Sequence, residues 1–304
     1  MPKNFEELLE SLKNRPERRR MVVAAANDAH TLEAVFRAER DGIITPILVG
    51  DKNTIRSVAK ELSHTVTREA IYDCADDQAA SELAVQLIRE GKADFLMKGK
   101  TDTKVVLKAV VNKEYGLGLG RTMSHFTILQ LPGYHKLIAV VDGGMVPYPT
   151  LEQKKDIICN TVQTMRALGC ECPKVGVLAC VEKVNPKMPA TVDAAELKKL
   201  GEAGEFGPNV LVEGPIAMDL AVSAHCAEVK GFKSEVAGDA DIFIVPNIEA
   251  GNIMGKTLGD ILGAKAAGVI VGTDTPIVMC SRADNDETKL CSIALGCLMA
   301  GLNK

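Results

Sequence analysis

Short apolar runs alternate with amphipathic segments along most of the chain, and this alternation limits its fold more than any other feature. Residues 21–26 are apolar throughout, and apolar side chains recur at helical spacing in residues 31–40. A strand that is a continuous apolar run is covered on both faces, as in parallel sheets. The alternation therefore predicts an α/β fold with mainly parallel sheets and helices on both faces.

The same pattern continues to the end of the chain. Strands are predicted at residues 21–26, 43–49, 93–97, 122–130, 136–141, 175–180, 210–212, 242–245, 269–271 and 277–280. Helices are predicted at residues 5–12, 31–40, 76–90, 103–111, 150–168, 191–203, 217–229, 251–262 and from 286 onward. The turn at residues 131–135 contains Pro132-Gly133, which predicts an antiparallel hairpin of the two strands beside it.

Length and composition exclude several classes of protein. The chain has 304 residues, of which 46% are hydrophobic and 25% charged, a balance typical of a soluble globular protein with about two domains. The net charge of −4 and the 4% aromatic content argue against a nucleic-acid partner. No apolar run reaches the roughly 18 residues of a membrane span.

Nine cysteines, an odd number, are scattered along the chain. This usage is typical of reduced thiols and predicts a cytoplasmic protein, and the polar N-terminus does not resemble a signal peptide. Cys170 and Cys172 form a C-x-C pair, but no second Cys or His cluster completes a tetrahedral set nearby, so no metal site is predicted.

Ligands of open α/β sheets bind beyond the carboxyl ends of the strands, and the chain places basic and small polar residues there. Lys98-Gly99-Lys100-Thr101 lies between a predicted strand and a predicted helix. Lys98 and Lys100 can supply positive charge, and Thr101 a hydroxyl donor, to a bound anion. The alternative interpretation is a solvated strand end.

Two further segments carry candidate chemistry. Ser281-Arg282-Ala283-Asp284 follows the last predicted strand; the Arg282 guanidinium matches phosphate oxygens, and the Ser281 hydroxyl can donate to an oxyanion. In the alternative interpretation, Asp284 is only the N-cap of the last predicted helix and Arg282 has no functional role. Ser124-His125 begins a predicted strand, where His125 is either structural or a proton carrier.

The segment at residues 237–252 is a predicted strand, a polar turn and a helix start. Asn247 and Asn252 can donate amide hydrogens, and Lys256 lies one turn inside the helix. Stock motifs are missing: the Gly116-x-Gly118-x-Gly120 spacing is not that of a dinucleotide fingerprint, and no P-loop occurs.

These segments resemble the phosphate acetyl/butyryltransferase family, and within it the members that transfer butyryl groups. The resemblance is carried by the following runs: Gly238-Asp239-Ala240-Asp241, Pro246-Asn247-Ile248-Glu249-Ala250-Gly251-Asn252, Ser281-Arg282-Ala283-Asp284, Val184-Asn185-Pro186-Lys187-Met188-Pro189 and Ser292-Ile293-Ala294-Leu295. It extends from about residue 93 to the C-terminus and is weaker before that.

The resemblance implies a two-domain fold similar to the isocitrate and isopropylmalate dehydrogenases, with the active site in the interdomain cleft. The last strand and helix then return to the first domain, so we expect a discontinuous first domain at residues 1–146 and 276–304 and a second at 147–275. It also implies a homo-oligomer that transfers a short acyl group reversibly from acyl-CoA to inorganic phosphate. Coenzyme A and phosphate are substrates, and neither a bound cofactor nor a metal is expected.

The resemblance also implies roles for individual residues. The acetyl-transferring members use a Ser-Arg pair that matches Ser281-Arg282, and a basic residue that corresponds to Arg121. Their aspartate seven residues after the serine is replaced here by Thr288, so the resemblance does not identify the general base, and Asp284 and His125 are the candidates. The full predicted set is Ser281, Arg282, Asp284 and His125 as catalytic residues, with Lys98, Lys100, Thr101, Arg121, Ser124, Asn247, Asn252 and Lys256 as substrate-binding residues.

The loop Asp142-Gly143-Gly144 is richer in glycine than the family leads us to expect.

Three alternative functions remain at this point. An acetyltransferase would differ only in the size of the acyl pocket, which the sequence does not define. A dehydrogenase of hydroxy acids on the same fold would need NAD and a metal-binding aspartate cluster, which we do not find. A non-catalytic binding protein would not need the Ser281-Arg282 pair.

Overall fold

A computed structural model describes residues 1–13, 17–281 and 284–300 of the chain. Within these ranges the strands are β1 (Arg19–Ala24), β2 (Ile44–Gly50), β3 (Ile71–Asp73), β4 (Phe95–Lys98), β5 (Ser124–Gln130), β6 (Leu137–Val141), β7 (Lys174–Leu178), β8 (Leu211–Ile216), β9 (Ile242–Ile244), β10 (Lys265–Val271) and β11 (Ile277–Val278). The helices are α1 (Phe5–Lys13), α2 (Ala29–Arg40), α3 (Lys52–Glu61), α4 (Asp77–Arg89), α5 (Thr103–Val110), α6 (Leu151–Ala167), α7 (Pro189–Glu202), α8 (Met218–Val222), α9 (Ala224–Val229), α10 (Ile248–Lys256), which a π-helical turn (Thr257–Ile261) extends, and α11 (Asp286–Met299).

The predicted α/β class, with mainly parallel sheets, is confirmed. Antiparallel pairing interrupts it in the predicted β5–β6 hairpin and in the β10–β11 pair. Helix α3 and strand β3 were not predicted. Helix α3 buries only Ile55 and Ala59, and β3 is a three-residue strand with no buried residue, so neither gives a strong apolar period.

Helix ends follow local capping chemistry. The predicted helix at residues 150–168 is α6, with Thr150 as its N-cap in a capping box with Gln153. The predicted helix at 217–229 is instead broken into α8 and α9, because Ser223 is extended and its hydroxyl caps α9 by accepting from the Cys226 N–H. Helix α10 begins at Ile248, three residues before the predicted start, because Asn247 caps it.

Two compact units divide the chain. The first unit contains Phe5–Arg121 and the described residues from Ala267 onward; the second contains Met1–Asn4 and Thr122–Ala266. The predicted domains, 1–146 with 276–304 and 147–275, differ from these units mainly over residues 122–146 and 267–275. The difference arises because β6 pairs with β9, while the β10 residues Val269 and Ile270 pair with β11.

In the first unit, the strands lie in the order β3-β2-β1-β4-β11-β10. Strand β1 is parallel to both β2 and β4, and β11 is parallel to β4. Residues Met21 to Ala24 of β1 are fully buried, and α11 packs its apolar side chains against α1 and α2. This arrangement brings the carboxyl ends of β1, β4 and β11 to one edge of the sheet.

In the second unit, the strands lie in the order β5-β6-β9-β7-β8. Strand β9 is parallel to β6 and β7, and its Phe243 lies in a buried cluster with Leu129, Ile138, Val140 and Ile216. Because β5 runs antiparallel to β6, the start of β5 lies at the same edge as the ends of β6 and β9.

Candidate functional site

A cavity of about 210 Å³ opens at the carboxyl edge of the first unit's sheet. Its lining comes from the segments that follow β1, β4 and β11 and from α11: Asp28, His30, Thr31, Met97, Lys98, Gly99, Lys100, Cys280, Ser281 and Lys289. The predicted residues Lys98, Lys100 and Ser281 therefore lie around one cavity, as the strand-end rule for α/β sheets predicts.

Close contact between the ends of β1 and β4 shapes this cavity. The Gly99 N–H donates to the Ala24 carbonyl over 2.8 Å, and the Lys100 N–H donates to the Ala25 carbonyl over 2.9 Å. A Cβ atom on residue 99 would lie 2.3 Å from the Ala25 carbonyl oxygen, which is far inside van der Waals contact. Gly99 therefore permits the two strand ends to approach, as glycine does at ligand-binding turns.

The cavity wall is basic. Three of its lining residues, Lys98, Lys100 and Lys289, are lysines, whereas Asp28 is its one lining carboxylate among the described residues. Lys98 and Lys289 are only 8% and 5% exposed. The Lys98 ammonium donates to the carbonyls of Gly99 and Thr101 over 3.2 and 3.4 Å. Because low-dielectric walls strengthen the field of such charges, the cavity is suited to an anion.

Two polar atoms at this edge lack a hydrogen-bond partner among the residues the structure describes. Asp28 caps α2 with Oδ1, which accepts from the Thr31 N–H over 3.0 Å, and its buried Oδ2 is left over. The Thr101 side chain is 4% exposed, and its hydroxyl oxygen is also without a partner there. Buried polar atoms are normally satisfied. Asp28 is among the residues that line the cavity, whereas Thr101 is not.

Ser281 is exposed at the cavity, and Asp284 stabilises the turn that presents it. The Asp284 Oδ2 atom accepts from the Ser281 backbone N–H over 2.7 Å. Asn285, not Asp284, caps α11 by accepting from the Thr288 N–H. Arg282, the other member of the predicted pair, lies outside the described residues.

Cys280 lies beside Ser281 in the cavity wall. Burial raises the pKa of its thiol to about 11, and the nearby Asp284 carboxylate adds to this effect, whereas a hydrogen bond with Ser292 and the charges of Lys289 and Lys98 oppose it. A thiol with this pKa is protonated at neutral pH and is a poor nucleophile. The neighbouring hydroxyl and ammonium groups are therefore the polar groups that remain for catalysis.

The other predicted residues lie elsewhere. Arg121 is partly buried and does not line the cavity. It is the last residue of the first unit before the chain enters the second unit. Ser124, His125, Asn247, Asn252 and Lys256 all belong to the second unit.

Within the second unit, His125 lies against the loop that follows β6. Its Nδ1 is 3.2 Å from the Thr127 hydroxyl oxygen. A Cβ atom on Gly144 would come within 2.7 Å of the same nitrogen, so the glycine leaves room for the imidazole. Ser124, just before it, is fully buried, and its hydroxyl oxygen has no partner in the described part of the chain.

The loop itself is fixed by the Asp142 carboxylate, which accepts from the N–H groups of Gly144, Met145 and Val146 over 2.8, 2.9 and 3.1 Å. Gly143 touches Gly251 of α10, where a Cβ on either residue would lie 2.8 Å from the other backbone. The unexpected glycines at 143 and 144 therefore have a structural reason.

The predicted amide donors serve this packing. The Asn252 amide donates to the Gly143 carbonyl over 3.2 Å, and the Asn247 Oδ1 accepts from the Ala250 N–H as the cap of α10. Lys256 is exposed at the end of α10. His125 and Asn252 are thus brought to one loop, whereas Asn247 and Lys256 lie at opposite ends of a helix.

Two residues of the cavity lie outside the predicted set of site residues. Asp28 is one of the polar residues that follow a predicted strand, but it belongs to no motif. Lys289 lies in a helix that is buried almost all round, where a lysine is unusual. That apolar context was the available signal.

The longest helix, α6, has 17 residues, and no helix in the described ranges is long and apolar enough to cross a membrane. In residues 1–13, 17–281 and 284–300, no three His, Cys, Asp or Glu side chains are grouped so that they could hold a metal ion.

Comparison with known proteins gives consistent matches. The family model described as phosphate acetyl/butaryl transferase matches residues 5–86 and 75–297. The phosphate butyryltransferase of Clostridium acetobutylicum is 43% identical over 301 residues, covering 99% of both chains. The phosphate acetyltransferase of Thermotoga maritima is 42% identical and covers 93% of this chain and 95% of its own. The solved branched-chain phosphotransacylase of Enterococcus faecalis V583 is 29% identical with a TM-score of 0.82, covering 93% of this chain and 99% of its own.

Proposed function

The chain belongs to the phosphate acetyl/butyryl transferase family, and we propose that it transfers a butyryl group reversibly between coenzyme A and inorganic phosphate. It is an acyltransferase, and acyl-CoA and phosphate are its substrates. The proposal rests mainly on the basic cavity at the sheet edge, which Lys98, Lys100 and Lys289 line together with Ser281.

The proposed reaction is a direct transfer with both substrates bound. A phosphate oxygen attacks the thioester carbonyl carbon, and the carbonyl oxygen becomes an oxyanion. The carbon–sulfur bond then breaks, which releases CoA thiolate and leaves acyl phosphate. Thiols have a pKa near 8.5, so the thiolate is a tolerable leaving group. Lys98, Lys100, Thr101 and Arg121 are proposed to hold phosphate beside the thioester, and positioning of this kind supplies much of the rate.

Arg282 is proposed to hold phosphate, and Ser281 is proposed to act on the developing charge. The Ser281 hydroxyl donates to the oxyanion, and donors of this type are most effective where water is excluded. In the direction of acyl-CoA synthesis, a base must take the thiol proton. Asp284 and His125 are the proposed alternatives for that role, while Ser124, Asn247, Asn252 and Lys256 are proposed to bind substrate.

The test is phosphate-dependent release of CoA from butyryl-CoA by the wild-type protein and by Ser281→Ala. Loss of one oxyanion donor lowers kcat by about 10²–10³-fold, and we expect this loss with an unchanged circular dichroism spectrum. Arg282→Ala is expected to lower kcat severely as well. Ser57→Ala, on the exposed face of α3, is the matched control and should behave as wild type. Wild-type turnover in both Ser281→Ala and Arg282→Ala would contradict the proposed function.

Transfer of acetyl rather than butyryl is the second candidate function, because the two curated relatives with different acyl groups are 43% and 42% identical to this chain. One methylene in an apolar pocket contributes about 1–3 kcal/mol, so a few side chains decide between them.

We further propose a homo-oligomer that works in the cytoplasm without a bound cofactor. All nine cysteines lie in the described ranges and none forms a disulfide, which supports a reducing compartment. A light-scattering mass equal to one chain would contradict the homo-oligomer. Recovery of the protein from a secreted fraction would contradict the cytoplasmic location. Release of a chromophore or nucleotide from the purified protein on denaturation would contradict the absence of a bound cofactor.

A further inference from the structure

We propose that Lys289 of α11 is a phosphate-binding residue that acts together with Lys98. The ligand is inorganic phosphate in one direction of the reaction and the phosphoryl end of the acyl phosphate in the other. The identity of this anion rests on the proposed function, whereas the presence of an anion site rests on the charges of the cavity alone.

The burial of Lys289 is the first observation. Its neighbours in α11, Leu290 to Cys297, are all buried, and Lys289 itself is 5% exposed. Its ammonium group makes no hydrogen bond or ion pair with the residues that the structure describes. An ammonium group on a largely buried side chain without an anionic partner costs free energy, and a bound anion would supply the missing charge.

The second observation is that Lys289 and Lys98 line the same cavity. The charges of both oppose the rise in the pKa of the Cys280 thiol, in keeping with this shared lining. Two like charges in a buried wall repel each other when the cavity is empty. An anion with a charge between −1 and −2 would reduce that repulsion and supply Lys289 with an opposite charge.

The size of the cavity and the Asp28 carboxylate narrow the ligand. About 210 Å³ is below the roughly 300–1,000 Å³ of sites for drug-sized ligands and cofactors, so it suits a small anion such as phosphate with a short acyl chain. The buried Asp28 Oδ2, which has no partner among the described residues, can accept a hydrogen bond from the hydroxyl that phosphate carries at neutral pH.

The test uses Lys289→Met, which keeps much of the length of the side chain, and Lys289→Gln as a second variant without charge. Lys60→Met removes the same charge from the exposed end of α3 and is the control. We expect the KM for phosphate, and for butyryl phosphate in the reverse direction, to rise at least tenfold in both Lys289 variants. The KM for CoA should change less than twofold, and the control should match wild type.

A second measurement does not depend on activity. Inorganic phosphate should raise the Tm of the wild-type protein and of Lys60→Met, because it binds only the folded state. This shift should be lost in the Lys289 variants. An unchanged phosphate KM with an unchanged Tm shift would overturn the proposal, and so would failure of both variants to fold, since Lys289 would then be structural. If wild type showed a Lys289-dependent Tm shift but no acyl transfer, the anion site would stand and the proposed function would fail.

Discussion

The backbone at Gly99 determines how closely two strands meet at the cavity. Its N–H bonds to the Ala24 carbonyl, and the following N–H bonds to the Ala25 carbonyl. These contacts fix the direction in which Lys98 and Lys100 leave the strand end. The positions of the basic groups therefore depend on the absence of a side chain at residue 99.

Gly99→Ala is accordingly predicted to destabilise the protein and to impair phosphate binding. The new Cβ would lie 2.3 Å from the backbone oxygen of Ala25, which is not free to rotate away. Overpacking of this kind costs about 1–3 kcal/mol, and urea unfolding measures it. Gly118→Ala, at an exposed glycine where a Cβ meets nothing within 4 Å, is the control. A Gly99→Ala variant as stable and as active as the Gly118 variant would refute this account of the strand contact.

Among the secondary-structure elements, a charged network connects the starts of β6, β7 and β9. Lys136 contacts the carboxylates of Asp239 and Asp241 at 2.7 Å each, and Lys174 contacts Asp239 at 2.6 Å. His135 also bonds to Asp239 at 2.8 Å. Partial burial alone would raise the pKa of Asp239, but the bonds from Lys136, Lys174 and His135 outweigh it and hold the pKa well below its usual range.

Asp239→Asn is predicted to lower stability at pH 7 and to change its dependence on acid. A depressed carboxyl pKa contributes stability above the unfolded pKa of about 3.9, and this stability is lost as pH falls below that value. The difference from wild type, on the order of 1 kcal/mol for a half-exposed network, should therefore shrink between pH 5 and pH 2.5. Asp260→Asn, at an exposed carboxylate, is the control. A difference from wild type that stays constant over this range would contradict the role of the charge.

At the scale of the whole molecule, the sequence predicted the fold class and part of the cavity because both follow from local pattern. Lys98 and Ser281 each follow a predicted strand, and they line one cavity as the strand-end rule predicts. Lys289 escaped because its role depends on which helix face meets the cavity, and spacing along the chain does not give that. The division at residue 121 escaped because it depends on the pairing of β6 with β9, which is a long-range contact.

Acyl transfer to phosphate is tested by measuring CoA release from acyl-CoAs of two to five carbons with and without inorganic phosphate. We predict release that requires phosphate, with the highest kcat/KM for butyryl-CoA, about tenfold or more above acetyl-CoA. A highest kcat/KM for acetyl-CoA would support acyl transfer to phosphate but would identify the protein as an acetyl-transferring member of the family. Release that is absent with every acyl-CoA, or that proceeds equally without phosphate, would contradict the claim.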